Sequence, residues 1–226
     1  MKLVVGLGNP EPRYAETRHN LGYLAVRLLA RRLGLPSFRS GRLGLVSATE
    51  DDGGQGVVLL LPTTYMNRSG AAVRARLEGR SWSPEDLVVV HDDLDLAPGR
   101  VKVKLGGSSG GHLGVASVIE ELGSEDFVRV RVGIGRPPPG VAPVEFVLGR
   151  PSGEEADLLA RAARCAADAV AVVLAEGVET AMNRFNRRPD RSGRAGGRNG
   201  SDGARVRDGS GGAGVREGGT GNAVTC

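Results

Sequence analysis

The chain has 226 residues, of which 40% are apolar and 25% charged, a composition typical of globular rather than fibrous or disordered proteins. Its longest apolar run, Ala169–Ala175, is far shorter than the ~20 residues that span a bilayer. No signal-peptide pattern precedes the first apolar segment, and two cysteines are too few for a disulfide framework. We therefore expect a cytoplasmic protein with no membrane partner.

The positive charge of the chain is concentrated near its C-terminus. Residues 187–226 hold eight arginines and four acidic residues, whereas residues 1–186 are neutral overall. The same segment has twelve glycines and no Leu, Ile, Phe, Tyr, Trp or Met, so it cannot bury enough apolar surface to offset its ordering entropy. We expect a single domain over 1–186 and a disordered Gly/Arg-rich tail over 187–226. Its composition fits either an RNA-binding extension or an incidental one.

Hydrophobic periodicity predicts strands that alternate with helices along the chain. Apolar or alternating runs predict six strands: Leu3–Leu7, Leu43–Ala48, Val57–Leu61, Leu87–Val90, Val101–Leu105 and Phe127–Ile134. Apolar residues at three- and four-residue spacing predict five helices: Asn20–Leu33, Ser69–Leu77, Val115–Leu122, Gly153–Ala175 and Val178–Phe185. This order predicts the α/β class, with a mixed, mostly parallel twisted sheet covered by helices on both faces.

Three short motifs match known functional sites only in part. Gly6-Leu7-Gly8 lacks the third glycine of a dinucleotide-binding turn, because position 11 is Glu11. Ser109 lies in a Gly-x-Ser-x-Gly pattern, but the last histidine, His112, follows only three residues later, and a nucleophile elbow needs its acid and histidine further downstream. His91–Asp95 offers metal ligands, but neighbouring strand residues point in opposite directions. We expect no metal and no cofactor.

Polar side chains follow three of the predicted strands: Asn9, Asn67 and Asp92. Ligands bind at the carboxyl ends of strands in open α/β sheets, so these residues indicate a site. His19, at the start of the first helix, becomes a candidate general base if Asp92 holds its second ring nitrogen. Amide side chains nearby could orient a carbonyl group. Together these residues suit hydrolysis by an activated water without a covalent intermediate.

Six blocks of residues recur in an order that is typical of one enzyme family. They are Val5–Pro10 with Tyr14 and Thr17–Gly22, then Pro62–Gly70, His91–Asp95, Lys104–His112, Arg131–Gly135 and Phe146–Gly149. Over about residues 1–186 the chain resembles bacterial peptidyl-tRNA hydrolase. The resemblance implies a monomeric α/β enzyme that hydrolyses the ester between a peptide and the 3′-terminal adenosine of tRNA. Its partner would be peptidyl-tRNA, and no metal or cofactor would be needed.

The resemblance also implies roles for individual residues. It makes His19 the general base and Asp92 its partner. It has Asn9 discriminate N-blocked from free aminoacyl-tRNA, and Asn67 hold main-chain groups of the substrate. It has Tyr14 and Tyr65 contact the 3′ end of tRNA. It has three basic residues contact the tRNA phosphates: Lys102, Lys104 and Arg131.

One position departs from the family pattern. Leu113 stands where the family has an asparagine, and a leucine cannot hydrogen-bond a peptide carbonyl or a water. We expect hydrolysis to persist with weaker or altered substrate contact. Two alternatives stay open: an RNA-binding protein without catalysis on the same fold, and a metal-dependent nuclease or phosphatase. The joint presence of His19 and Asp92 with the two asparagines favours the hydrolase.

Overall fold

The computed structural model describes residues 1–49, 56–79 and 81–187, and the predicted tail lies outside these ranges except for Arg187. The strands are β1 (Lys2–Gly6), β2 (Arg39–Ser40), β3 (Gly44–Ala48), β4 (Val57–Pro62), β5 (Leu87–Asp93), β6 (Val101–Leu105) and β7 (Val128–Gly133). The α-helices are α1 (Leu21–Arg32), α2 (Ser69–Leu77), α3 (Leu113–Leu122), α4 (Pro143–Leu148), α5 (Gly153–Glu176) and α6 (Val178–Phe185). None of these helices has the length and apolar character needed to cross a membrane.

All seven strands belong to one mixed sheet with the order β2-β3-β4-β1-β5-β7-β6. The four central strands β4, β1, β5 and β7 run parallel, and β1 sits between its two partners with Val5 opposite Leu60 on one side and Val89 on the other. The outer strands β2, β3 and β6 pair antiparallel. The mixed sheet with a parallel centre is thus confirmed.

Alternating side chains of the central strands enter two separate cores. In β1, Val4 packs into the core formed with α1, α5 and α6, whereas Leu3 and Val5 pack into the core formed with α2 and α3. This follows from the two-residue period of a strand, which sends successive side chains to opposite faces. Both faces are covered by helices, as expected for the continuous apolar runs in β1 and β4.

Two glycines bring the start of α1 into contact with the sheet edge. A side chain on Gly22 would lie 2.3 Å from the carbonyl oxygen of Val90 and 2.5 Å from that of Leu7. Likewise, a side chain on Gly6 would lie 2.5 Å from the carbonyl oxygen of Gly22. Such distances are too short for any other residue. The close approach places the short 3₁₀ turn Arg18–Asn20, which precedes α1, over the carboxyl ends of β1 and β5.

The structure departs from the predicted elements at four places. β2 and α4 were not expected, because two and six residues are too short to show a periodic pattern. Helix α3 begins at Leu113 rather than at Val115, since His112 caps it. β5 continues through His91 to Asp93 by pairing with β7, so that Asp92 lies within the strand rather than after it.

Candidate active site

The three histidines of the chain gather around one buried carboxylate. Asp92 is 2% exposed and lies near the carboxyl end of β5. Nδ1 of His19 lies 2.9 Å from Asp92 Oδ1 and 3.1 Å from Oδ2. Nε2 of His112 lies 3.1 Å from the same Oδ1. The third histidine, His91, packs edge-on against His112 with ring centroids 4.9 Å apart.

The hydrogen bonds of His112 determine its tautomer. Its Nδ1 accepts hydrogen bonds from the backbone N–H groups of Gly114, at 3.1 Å, and Val115, at 3.2 Å, and thereby caps α3. An Nδ1 that accepts carries no proton, so the ring is neutral and its proton is on Nε2. Nε2–H therefore donates to Asp92. His112 therefore belongs both to the N-cap of α3 and to the carboxylate cluster.

The rings of His19 and His112 favour the ionised form of Asp92, at the centre of this cluster. Burial alone would raise the pKa of Asp92, but the His19 and His112 rings beside it hold that pKa well below its usual range. Asp92 is therefore ionised and accepts a hydrogen bond from each of the two rings. With Nδ1–H of His19 donated to Asp92, the lone pair of His19 lies on Nε2, which can take a proton.

His91 stays neutral beneath the cluster. Its Nδ1 donates to the backbone carbonyl of Asp92 at 2.7 Å. Burial disfavours the charged imidazolium and lowers the pKa of His91 to about 3. Within the described part of the chain its Nε2 is buried without a hydrogen-bond partner. The residue therefore supports the ring of His112 rather than exchanging protons at neutral pH.

Asn20 fixes the backbone at Asn9. The Oδ1 of Asn20 accepts from the backbone N–H of Asn9 at 2.7 Å, and its Nδ2 donates to the Asn9 carbonyl at 2.9 Å. Asn20 is buried at the end of the turn that carries His19. This paired contact ties the loop after β1 to the turn before α1, so that Asn9 and His19 keep a fixed separation.

The cluster opens into a cleft of about 310 Å³. Six of the residues predicted for the site line it: Asn9, Tyr14, His19, Tyr65, Asp92 and Leu113. Helix α4, which the sequence did not predict, adds Val144 and Val147 to one wall. The cleft thus has a polar floor of histidine and carboxylate groups and a largely apolar wall.

Four predicted site residues lie outside this lining, as far as the structure describes the chain. Asn67 is exposed in a 3₁₀ turn beside Tyr65, which does line the cleft. The three basic residues lie on β6 and β7, where Lys102 stands opposite Arg131 and Lys104 is exposed further along the strand. Nε of Arg131 donates to Asp93 Oδ2 at 2.6 Å, and Asp93 lines the cleft, so this cation borders the site.

The cluster also has the spacing of a metal site. One ligand atom from each of His19, Asp92 and His112 lies within 4.8 Å of the others. However, the ring nitrogens facing Asp92 bond to it as N–H donors, and the other nitrogen of His112 accepts from the helix backbone. Binding of a metal would require both rings to change tautomer or orientation. The arrangement fits a hydrogen-bonded carboxylate–histidine network.

Comparison with known proteins connects this geometry with one family. The family model described as peptidyl-tRNA hydrolase matches residues 3–193. The peptidyl-tRNA hydrolase of Syntrophotalea carbinolica is 44% identical over 188 residues, covering 83% of this chain and 98% of its own, and that of Mycobacterium tuberculosis is 45% identical over 184 residues, covering 81% and 96%. The chain belongs to the peptidyl-tRNA hydrolase family. The resemblance seen in the six sequence blocks is confirmed.

The fold of the family is shared as well. A crystal structure of peptidyl-tRNA hydrolase from Acinetobacter baumannii superposes with a TM-score of 0.75 at 36% identity, covering 82% of this chain and 94% of that one. The architecture of the present chain is therefore the α/β fold of the peptidyl-tRNA hydrolases. Together with the sequence match, this extends the likeness from the blocks around the cleft to the whole described domain.

Sequence reasoning missed two residues of this peptidyl-tRNA hydrolase site. His112 was noted as the last histidine after Ser109 and as part of a family block, but it was given no role, although its ring bonds Asp92 directly. Its position immediately before an apolar helix was a possible signal, because a helix N-cap needs a side-chain acceptor. Asn20 is adjacent to His19 and was part of a quoted block, but only the structure shows that its amide holds Asn9.

Proposed function

We propose that the chain hydrolyses the ester bond between a peptide, or an N-blocked aminoacyl group, and the 3′-terminal adenosine of tRNA. The reaction releases free tRNA and peptide for reuse in translation. The observation that carries this proposal is the pairing of His19 with the buried, ionised Asp92 at the floor of a cleft. Membership of the peptidyl-tRNA hydrolase family supports the same reaction.

His19 acts as the general base in the proposed mechanism. Its Nε2 takes a proton from a water, whose oxygen attacks the ester carbonyl carbon. Asp92 holds Nδ1–H and stabilises the imidazolium that forms, as the carboxylate does in other histidine–carboxylate pairs. The bond from the carbonyl carbon to the 3′ oxygen of adenosine then breaks, and that oxygen takes the proton from His19. An ester is easier to cleave than an amide, so this step needs no metal or cofactor.

The proposed substrate contacts follow the placement of the predicted residues. Asn9, in the cleft, recognises the blocked amino group of the aminoacyl residue. Asn67, outside the cleft lining, holds main-chain groups of a peptide that extends beyond it. The remaining contacts are with the 3′ end, through Tyr14 and Tyr65, and with tRNA phosphates, through Lys102, Lys104 and Arg131. Arginine and lysine on β6 and β7 suit phosphates because each contact releases counterions.

The domain organisation, the oligomeric state and the cellular compartment form part of the proposal. Residues 1–186 make one catalytic domain that acts as a monomer in the cytoplasm, and residues 187–226 add a Gly/Arg-rich tail. The arginines of that tail supply non-specific affinity for tRNA phosphates. The neutral charge of residues 1–186 does not oppose tRNA binding, because phosphate contacts depend on local cations.

The test is the release of tRNA from N-acetyl-aminoacyl-tRNA by the full chain, with and without a chelator, beside a measurement of tRNA binding. We expect multiple turnovers at a rate that the chelator does not change. Binding without turnover would contradict the proposal and favour an RNA-binding protein on this fold. Turnover abolished by the chelator and restored by a divalent cation would instead identify a metal-dependent enzyme.

A further inference from the structure

The cleft collects apolar side chains that a folded protein would otherwise bury. Of six large hydrophobic residues exposed in the described part of the chain, three line it: Tyr65 is 69% exposed, Leu113 56% and Val144 63%. Single exposed apolar residues are ordinary on a protein surface. Three that converge on one concave site from separate elements are not, and such patches mark binding surfaces.

These three residues, which we call the apolar wall, line the same cleft as His19 and Asp92. Leu113 is the first residue of α3 and follows His112, whose ring bonds Asp92. Val144 belongs to α4, where Val147 and Leu148 continue the apolar lining. Tyr65 comes from a third element, directly before the turn Met66–Arg68. A group bound for attack by a water on His19 therefore lies in a cleft that also presents apolar surface.

The size of the cleft limits what fills the space beside the apolar wall. At about 310 Å³ it lies at the lower end of the range for small-ligand sites, roughly 300–1,000 Å³. One aminoacyl group fits such a volume, whereas a longer peptide must extend beyond the cleft. The residue whose carbonyl is attacked is the one held nearest to His19 and Asp92. Its side chain is therefore the part of the substrate that meets the wall.

We propose that the apolar wall selects the aminoacyl group of the ester, with Leu113 as the specificity-determining residue. The preferred substrates carry a large apolar side chain on the amino acid joined to tRNA. This inference rests on the proposed ester hydrolysis. Leu113 determines the preference because it stands directly after His112, closest in the chain to the reactive groups. An amide or a small residue at this position would leave that side of the cleft without apolar contact.

The experiment compares kcat/KM for N-acetyl-leucyl and N-acetyl-glycyl esters carried by the same tRNA, so that RNA contacts cancel. We expect the full chain to favour the leucyl ester by about tenfold or more, since a single methylene group in an apolar pocket already gives roughly 10–200-fold discrimination. Leu113→Ala should reduce this ratio to about one third or less. Leu24→Ala, an exposed leucine on α1 outside the cleft lining, should leave the ratio unchanged.

Two results would overturn the inference. An equal kcat/KM for both esters in the full chain would show that the apolar wall contacts another part of the substrate, such as the terminal base. A ratio that Leu113→Ala leaves intact would show that Leu113 does not determine the preference. Absence of hydrolysis with either ester would instead reject the proposed function on which the inference rests, so the two failures are distinguishable.

Discussion

His112 links the stability of α3 to the charge cluster, because its two ring nitrogens serve different partners. Nδ1 accepts from the backbone at the start of the helix, and Nε2–H donates to Asp92. We predict that His112→Ala lowers kcat by about 10–100-fold, the effect of losing a hydrogen bond to a charged group, about 1.5–3 kcal/mol. It should also destabilise the fold by about 1 kcal/mol through the lost N-cap. Single-turnover kinetics and chemical denaturation measure the two effects.

His112→Asn is the control that separates the two roles. An asparagine is among the best N-caps, so this variant should keep most of the stability while kcat stays low. If His112→Asn restored both stability and kcat, the contact with Asp92 would have no part in the reaction.

At this scale the sequence could reveal the residue types but not their partners. His19 and Asp92 are 73 positions apart; the strand-end argument made their pairing a condition, and the resemblance to a known family assigned it. The capping role of His112 depends on where α3 begins, which the apolar pattern misplaced by two residues. The resemblance implied that Asn67 holds main-chain groups of the substrate and that the cations on β6 and β7 contact tRNA phosphates, and these contacts stay predictions.

At the scale of elements, the least buried helix forms a wall of the cleft. No residue of α4 is buried, and Arg18 holds the helix in place. The Arg18 guanidinium donates to the Phe146 carbonyl at 3.2 Å, lies 4.4 Å from that ring, and bonds both carboxylate oxygens of Glu155 at 2.7 and 2.6 Å. Arg18 is also the neighbour of His19. One side chain thus joins α4 and α5 to the turn that carries the base.

We predict that Glu155→Gln loosens α4 and raises KM by about three- to tenfold, with a smaller change in kcat. The reason is that the bidentate ion pair of Arg18 becomes a weaker, neutral contact while His19 and Asp92 are untouched. Steady-state kinetics and hydrogen exchange of the amides in Pro143–Leu148 measure the effect. Glu154→Gln, at the exposed neighbouring position, is the matched control. Unchanged KM and exchange in Glu155→Gln would show that the ion pair does not hold α4.

Long, buried helices and strands were predicted from the sequence, whereas short or exposed ones were not. β1, β4 and the first four residues of β5 were predicted because they are continuous apolar runs, a consequence of burial on both faces of the sheet. β7 was predicted because Val alternates with Arg along it. In contrast, α4 has no buried residue to create a period, and β2 is only two residues long. This unpredicted helix also lines the cleft, so the sequence indicated the polar floor of the site but not the side that α4 forms.

For the molecule as a whole, the buried His91 makes stability depend on pH. Its pKa is about 3 in the fold, against an ordinary value of ~6.5 in the unfolded chain. Between these values the unfolded state binds more protons than the folded state. The contribution of His91 to the free energy of unfolding is therefore fully present above about pH 6.5 and is lost as the pH drops towards 3. The depressed pKa of Asp92 acts only below its unfolded value of ~3.9 and leaves this window unchanged.

We predict that Tm decreases steadily between pH 7 and pH 4.5, and that His91→Phe makes this decrease shallower. Phenylalanine retains an aromatic ring but does not titrate, so the slope reports on His91 even if the variant is less stable at every pH. Thermal unfolding followed by circular dichroism provides the measurement. An identical slope in His91→Phe would assign the pH dependence to other groups.

The charge distribution of the full chain gives another prediction at this scale. If the arginines of residues 187–226 bind tRNA phosphates, deleting these residues should flatten the dependence of log K for tRNA on log salt concentration. Binding titrations at several salt concentrations, with hydrolysis measured in parallel, test this. Hydrolysis at low salt should persist without the tail. A truncated chain with the same salt slope would show that the tail makes no contact with tRNA.

The central claim is that His19, held by Asp92, activates the water that cleaves the ester. Its most direct test is single-turnover release of tRNA from N-acetyl-aminoacyl-tRNA by the full chain and by His19→Ala, with tRNA binding measured for both. We predict that His19→Ala reduces the rate by at least about a hundredfold, as expected for loss of a general base, while tRNA affinity changes by less than about threefold. A His19→Ala variant that hydrolyses the ester within about tenfold of the unaltered rate would contradict the account.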